Sequence, residues 1–119
     1  MHILIIEDDA LVGETLAALL SMLGHSVRAA NDGHEGIAYF EAELQTIDAV
    51  ILDMRMMPLS GKEIFMRLKS IQPDVKVFLS TGYVEDKMIE ELTKQGLVGV
   101  IPKPYRLSEL KQALSKLSA

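Results

Sequence analysis

Ala49-Val50-Ile51-Leu52-Asp53-Met54-Arg55 is the stretch on which the reading of this chain turns. Four apolar residues in a row, two of them β-branched, predict a strand buried on both faces, the pattern of a parallel sheet covered by helices. Asp53 stands at the carboxyl end of that strand. A carboxylate so placed is costly to bury unless a partner or ligand uses it. Its surroundings therefore decide both fold and function.

Working outward, short apolar runs alternate with helical periodicity in both directions. Residues 2–6 predict a first strand, and Leu11, Val12, Thr15, Leu16, Leu19, Leu20 and Leu23 recur at helical spacing until Gly24 offers a left-handed stop. Residues 26–30 predict a second strand, Asn31-Asp32-Gly33 reads as turn chemistry, and residues 34–43 form a shorter helix with Ile37, Tyr39 and Phe40. Beyond Asp53, Pro58 breaks the chain. Ser60 with Glu63 makes a capping-box pattern for a helix using Ile64, Phe65, Leu68 and Ile71, which Pro73 ends. A fourth strand is expected over 75–80, a fourth helix over 84–94 closed by Gly96, and a fifth strand over 98–101. Leu107, Leu110, Leu114 and Leu117 mark a last amphipathic helix.

Five strands alternating with five helices predict an α/β, doubly wound and mainly parallel sheet with helices on both faces, because parallel strands need right-handed crossovers. At 119 residues the expectation is one domain spanning 1–119, with no output domain after the fifth helix. Apolar residues are 49% and charged residues 24%, average globular usage. The net charge of −5 argues against nucleic-acid binding as the main function. With no cysteine there is no disulfide framework or thiol chemistry, and acid interrupts the apolar opening before it could span or signal. A cytoplasmic protein without a membrane partner is expected.

Ligand sites in such folds lie at the carboxyl ends of the strands. Glu7 and Asp8, Asp53, Thr81 and Lys103 each follow an apolar run and so share that edge. Asp9 alone reads better as the N-cap of the first helix. Carboxylates about 4 Å apart repel by about 4 kcal/mol at an effective dielectric near 20, so a cation is expected among them. Magnesium suits oxygen ligands of this kind, with manganese as the alternative. Beside such a cation the Asp53 carboxylate is a candidate nucleophile toward a phosphoryl group, with Lys103 as a point charge and Thr81 as a hydrogen-bond donor to its oxygens. Alone, Lys103 would read as a solvated strand-end lysine and Thr81 as a loop hydroxyl. His2, His25 and His34 are scattered and read as ordinary, and Met54, Met56 and Met57 as adaptable packing.

Ile5-Ile6-Glu7-Asp8-Asp9, Val50-Ile51-Leu52-Asp53-Met54-Arg55, Ser80-Thr81-Gly82 and Lys103-Pro104 together resemble the receiver domain of bacterial two-component response regulators, over essentially the whole chain. The resemblance implies a flavodoxin-like sheet in the order 2-1-3-4-5. It implies that Asp53 accepts a phosphoryl group from a phosphohistidine on a histidine kinase or histidine phosphotransfer protein. It further implies that Glu7, Asp8, Asp53 and the main-chain carbonyl of Arg55 hold Mg2+, that Thr81 and Lys103 contact the phosphoryl group, and that Lys103-Pro104 is cis. The protein would then be a signalling domain, self-catalysing phosphotransfer and slow dephosphorylation and nothing else. The Lys103-to-Leu110 stretch resembles receivers fused to hybrid sensor kinases.

Two departures from the family pattern stand out. Most receivers carry an aromatic ring three residues before the lysine, and here that position is Val100, whose stiff branched side chain cannot swing as a ring does. Either Tyr83 or Tyr105 substitutes for it, or the signal leaves by loop rearrangement. The proline after Asp53 also falls one place late, at Pro58. Two other functions fit parts of the pattern: a receiver-like interaction module not controlled by phosphorylation, which Val100 favours, and a magnesium-dependent aspartyl phosphohydrolase. The latter needs a second acid two residues after the nucleophile, where this chain has Arg55.

Overall fold

The period-two alternation of the strands sorts the apolar residues onto two faces of one sheet, and the helices follow. The computed structural model describes residues 1–56, 58–82 and 86–117. In chain order these form β1 (His2–Ile6), α1 (Ala10–Met22), β2 (Ser26–Ala30), α2 (Gly33–Ala42), β3 (Ala49–Asp53), α3 (Gly61–Ile71), β4 (Val77–Thr81), α4 (Asp86–Lys94), β5 (Gly99–Pro102) and α5 (Leu107–Ser115). All four strand pairings are parallel, in the order β2-β1-β3-β4-β5. This is the flavodoxin-like architecture, and it sets β1 and β3 side by side at the point where the winding reverses.

On one face Leu4, Ile6, Val50, Leu52, Val77 and Leu79 meet Ile37 and Phe40 of α2, Ile64, Phe65 and Leu68 of α3 and Leu92 of α4. On the other, Ile3, Ile5, Ile51, Phe78 and Ile101 meet Leu16 and Leu20 of α1 with Leu110 and Leu114 of α5. The central strands are buried along their whole length, as the unbroken apolar run of β3 requires. Met56 is buried in the first of these cores and Met54 packs against it, so both act as packing; Met57 lies outside the described residues.

The helix ends use the expected chemistry. Asp9 caps α1 through the N–H groups of Leu11 and Val12 at 3.0 and 3.2 Å, and Ser60 and Glu63 form the full capping box of α3. Gly24 and Gly96 take the left-handed conformation, with φ of 90° and 105°.

Boundaries moved where pairing or capping competes with composition. Asp32, read as part of a turn, accepts from the Glu35 N–H at 2.8 Å and starts α2 one residue early at Gly33. The fourth strand begins at Val77, opposite Val50, and extends to Thr81, which is therefore a strand residue instead of a loop hydroxyl. The fifth runs from Gly99 to Pro102, because Val98 precedes the residue that pairs with Phe78. Val84 and Glu85, expected in the fourth helix, lie outside the described residues. Among the described residues no helix is long and apolar enough to cross a membrane.

Phe65 is wholly buried whereas Leu11 is 72% exposed. Phe65→Ala should cost about 3–5 kcal/mol, a large share of the roughly 5–15 kcal/mol available to a domain, while Leu11→Ala should stay within about 0.5 kcal/mol. Urea unfolding midpoints measure both, and similar midpoints for the two variants would contradict this account of the core.

Candidate functional site

Each carboxyl end of the central strands delivers one polar group to a shared pocket. Glu7 leaves β1 with its N–H donating to the Ala30 carbonyl at 3.1 Å, which turns its side chain inward, where it is 3% exposed. Asp53 ends β3 at 6% exposure, and Thr81 ends β4 at 3%. Asp8, the next residue after Glu7, is exposed at the pocket mouth. One carboxylate oxygen from each of Glu7, Asp8 and Asp53 lies within 4.8 Å of the others.

Lys103 closes the group from β5. Its ammonium donates to Glu7 Oε1 at 2.8 Å and to Asp53 Oδ1 at 3.3 Å. Because β4 lies between β3 and β5, the lysine stem must reach across the end of β4 to do so. The Lys103 N–H is meanwhile held by the Thr81 carbonyl at 3.0 Å, and the Lys103-Pro104 bond is cis as expected. The Arg55 N–H donates to Asp53 Oδ1 at 3.3 Å, so the chain after β3 folds back over the carboxylate.

Gly61 is the backing of this turn. A Cβ at that position would stand 2.7 Å from the Met54 Cα and 2.8 Å from the Asp53 carbonyl oxygen, both main-chain atoms that cannot yield. Only glycine lets the first turn of α3 press against the end of β3, and its N–H donates to the Met54 carbonyl at 3.1 Å.

The electrostatics follow from three carboxylates sharing one ammonium. Burial raises the Glu7 carboxyl above its ordinary pKa; the Lys103 hydrogen bond pulls it back, and Asp53 pushes it up again. Asp8 is likewise raised, by burial first and then by Glu7. For Lys103 burial works downward, but the hydrogen bond to Glu7 and the charges of Asp53 and Glu7 outweigh it, leaving the ammonium more strongly protonated than usual. With all three acids ionised, two negative charges are left unbalanced. The donor set is wholly oxygen and opens at exposed Asp8, which fits a hard, partly hydrated divalent cation such as magnesium.

The structure thus brings the side chains of Glu7, Asp8, Asp53 and Lys103 together, with Thr81 at the neighbouring end of β4. Among the described residues none of the histidines joins the acidic group: His2 pairs with Ser26 and Glu43, and His25 with the Met1 amino group. Val100 is half-buried against the α2–α4 core, and Tyr83 lies outside the described residues. Sequence reasoning missed Ser80, whose hydroxyl is hydrogen-bonded to that of Tyr105. The signal available was a second hydroxyl, next to Thr81, at the end of an apolar run.

Comparison with known proteins agrees with this geometry. The family model for the response regulator receiver domain matches residues 3–115. A response regulator receiver protein of Anaeromyxobacter sp. is 33% identical over 107 residues, which cover 90% of this chain and 44% of that protein, so the chain spans less than half of its relative's length. A response regulator receiver domain protein from Clostridium thermocellum superposes with a TM-score of 0.92 at 30% identity, covering 98% of this chain and 92% of that one. A response regulator protein from Thermotoga maritima, solved in complex with Mg(2+)-BeF, gives 0.84 at 28% identity and covers 98% and 97%. A match across nearly the whole sequence, joined to the parallel sheet in the order 2-1-3-4-5, shows that the chain belongs to the response regulator receiver domain family of two-component systems.

Proposed function

We propose that this chain is a phosphorylation-dependent switch in which Asp53 accepts a phosphoryl group from the phosphohistidine of a histidine kinase or histidine phosphotransfer protein. The observation that carries this reading is the Lys103 ammonium set between Glu7 and Asp53, at the end of a strand buried along its whole length. An Asp53 carboxylate oxygen attacks phosphorus as the N–P bond of the donor breaks, and the imidazole leaves with the electron pair and takes up a proton. Glu7, Asp8, Asp53 and the main-chain carbonyl of Arg55 would hold magnesium, which would supply charge offsetting both the carboxylate and the incoming phosphoryl oxygens. Lys103 then pairs with one phosphoryl oxygen, and the Thr81 hydroxyl donates to another. The Asp53 phosphoryl group adds about −1.5 to −2 charge in a pocket walled by three strand ends, enough to bias a two-state arrangement of its neighbours.

The resemblance to the Thermotoga maritima protein, solved in complex with Mg(2+)-BeF, supports this reading. Val100 favours one other reading, an interaction module whose surface is not governed by phosphorylation. A phosphohydrolase is disfavoured because Arg55, two residues past Asp53, is exposed and basic where a second acid would be needed.

Incubation with magnesium and acetyl phosphate should add one phosphoryl group by mass, and Asp53→Asn should abolish the gain. Thr81→Ala should still be phosphorylated but show a weaker beryllofluoride-induced change in its amide NMR spectrum. A wild-type protein that takes up no phosphoryl group, or an Asn variant that does, would sink the assignment. Protons also compete with the metal here. Since the Glu7 and Asp8 carboxyls are both raised, they take up protons at higher pH than ordinary carboxylates, so magnesium affinity should begin to fall on acidification above their usual values of 4.5 and 3.8. Calorimetric titration across that range measures it, and an affinity flat down to about pH 4.5 contradicts the prediction.

A further inference from the structure

The turn that follows β5 is fastened to β4 at both of its ends. At the first, the Lys103 N–H donates to the Thr81 carbonyl at 3.0 Å. At the second, two residues on, the hydroxyls of Tyr105 and Ser80 are hydrogen-bonded to each other. Ser80 is only 1% exposed, precedes Thr81, and lies opposite Asp53 in the β3–β4 register. It shares the face of Phe78, two residues earlier, and the Tyr105 ring packs against that same α1/α5 core. Burial raises the Tyr105 phenol above its ordinary pKa against the opposing effect of Ser80, so it keeps its proton at neutral pH.

Lys103 sits between these two fastenings. A lysine stem has four rotatable carbons and loses much rotamer entropy when its head is held in one place. Here the stem borders a cavity of about 400 Å³ lined by Val12, Thr15, Lys103, Pro104 and Tyr105, which offers it somewhere else to go. The ammonium nevertheless stands between Glu7 and Asp53, at the far side of the end of β4.

We propose that Tyr105 is a positioning residue for the phosphoryl-transfer site: its hydroxyl, locked to Ser80, clamps the 103–105 turn onto β4 and thereby holds the Lys103 ammonium between Glu7 and Asp53. Tyr105 touches neither reacting atom and acts through Lys103. The role rests on the phosphotransfer reading above insofar as Lys103 serves the phosphoryl group. The pairing also gives the hydroxyl of Ser80, buried in an apolar strand, its reason to be there.

The test compares wild type with Tyr105→Phe, Ser80→Ala and the double variant, with Tyr105→Phe repeated in a Lys103→Ala background. One readout is the ¹H–¹⁵N NMR signal of the Lys103 ammonium, visible only while its protons are held in slow exchange; the other is the rate of Asp53 phosphorylation by acetyl phosphate with magnesium. Tyr105→Phe should broaden the ammonium signal away and slow transfer about tenfold, as expected when a reacting charge is misplaced by a fraction of an ångström. The double variant should not recover, and the Lys103→Ala background should show no further slowing. An ammonium signal unchanged in Tyr105→Phe overturns the proposal. Recovery in the double variant does the same, since it would trace the loss to an orphaned Ser80 hydroxyl, and so does equal slowing without Lys103. Should the wild type itself take up no phosphoryl group, the transfer reading fails, and the ammonium signal alone still decides whether Tyr105 positions Lys103.

Discussion

One ammonium group shared by two buried carboxylates is the constraint on which the rest of this structure depends. Glu7 and Asp53 are brought within reach of one another by the sheet, and without Lys103 their mutual repulsion and their loss of water would act together against the fold. The lysine arrives from 96 and 50 residues away in sequence. A strand order that seats β1 beside β3, with β5 two strands beyond β3, lets three such distant segments deliver their ends to one place. Burial first, and then the neighbouring acids, raise the Glu7 and Asp8 carboxyls, and one lysine against three ionised acids leaves two negative charges. That imbalance is what a divalent cation would offset.

The surroundings of Asp53 are rigid for a reason that can be named. Behind it, Gly61 allows helix and strand backbones to touch, and in front the Arg55 N–H returns to the carboxylate. Main-chain contacts thus bear on Asp53 from both sides. On the β4 side the support differs from the family pattern. Val100 supplies a branched aliphatic that packs against the α2–α4 core, while an aromatic ring and a hydroxyl appear instead at Tyr105, on the opposite face of the sheet. Val100 and the support for the lysine turn therefore lie on opposite faces of the sheet.

Much of this was legible in residue order. The unbroken apolar run before Asp53, the helical spacing of Leu11 to Leu23 and the Ser60–Glu63 pair gave five strands and five helices, since burial on both faces, one-face burial and capping each leave a local pattern. The edges slipped where a distant partner decides the matter. Thr81 joins β4 because Pro102 pairs opposite it, and Val98 precedes β5 because Phe78 pairs with Gly99. Asp32 was read as a turn residue because a turn and an N-cap use the same side-chain chemistry, and only the helix behind it tells them apart.

By itself the sequence determined the fold class, the acids and the lysine that share the carboxyl edge of the sheet, and the resemblance to receiver domains, because each is a matter of local period or of residue type at an element's end. Tertiary structure alone decided that Lys103 crosses the end of β4 to pair with both Glu7 and Asp53, that Gly61 is required by main-chain contact, and that the Ser80 hydroxyl meets Tyr105. These are contacts between segments far apart in the chain. Nothing in the local pattern of either segment encodes them, since their geometry is set by strand register and by the space that packing leaves.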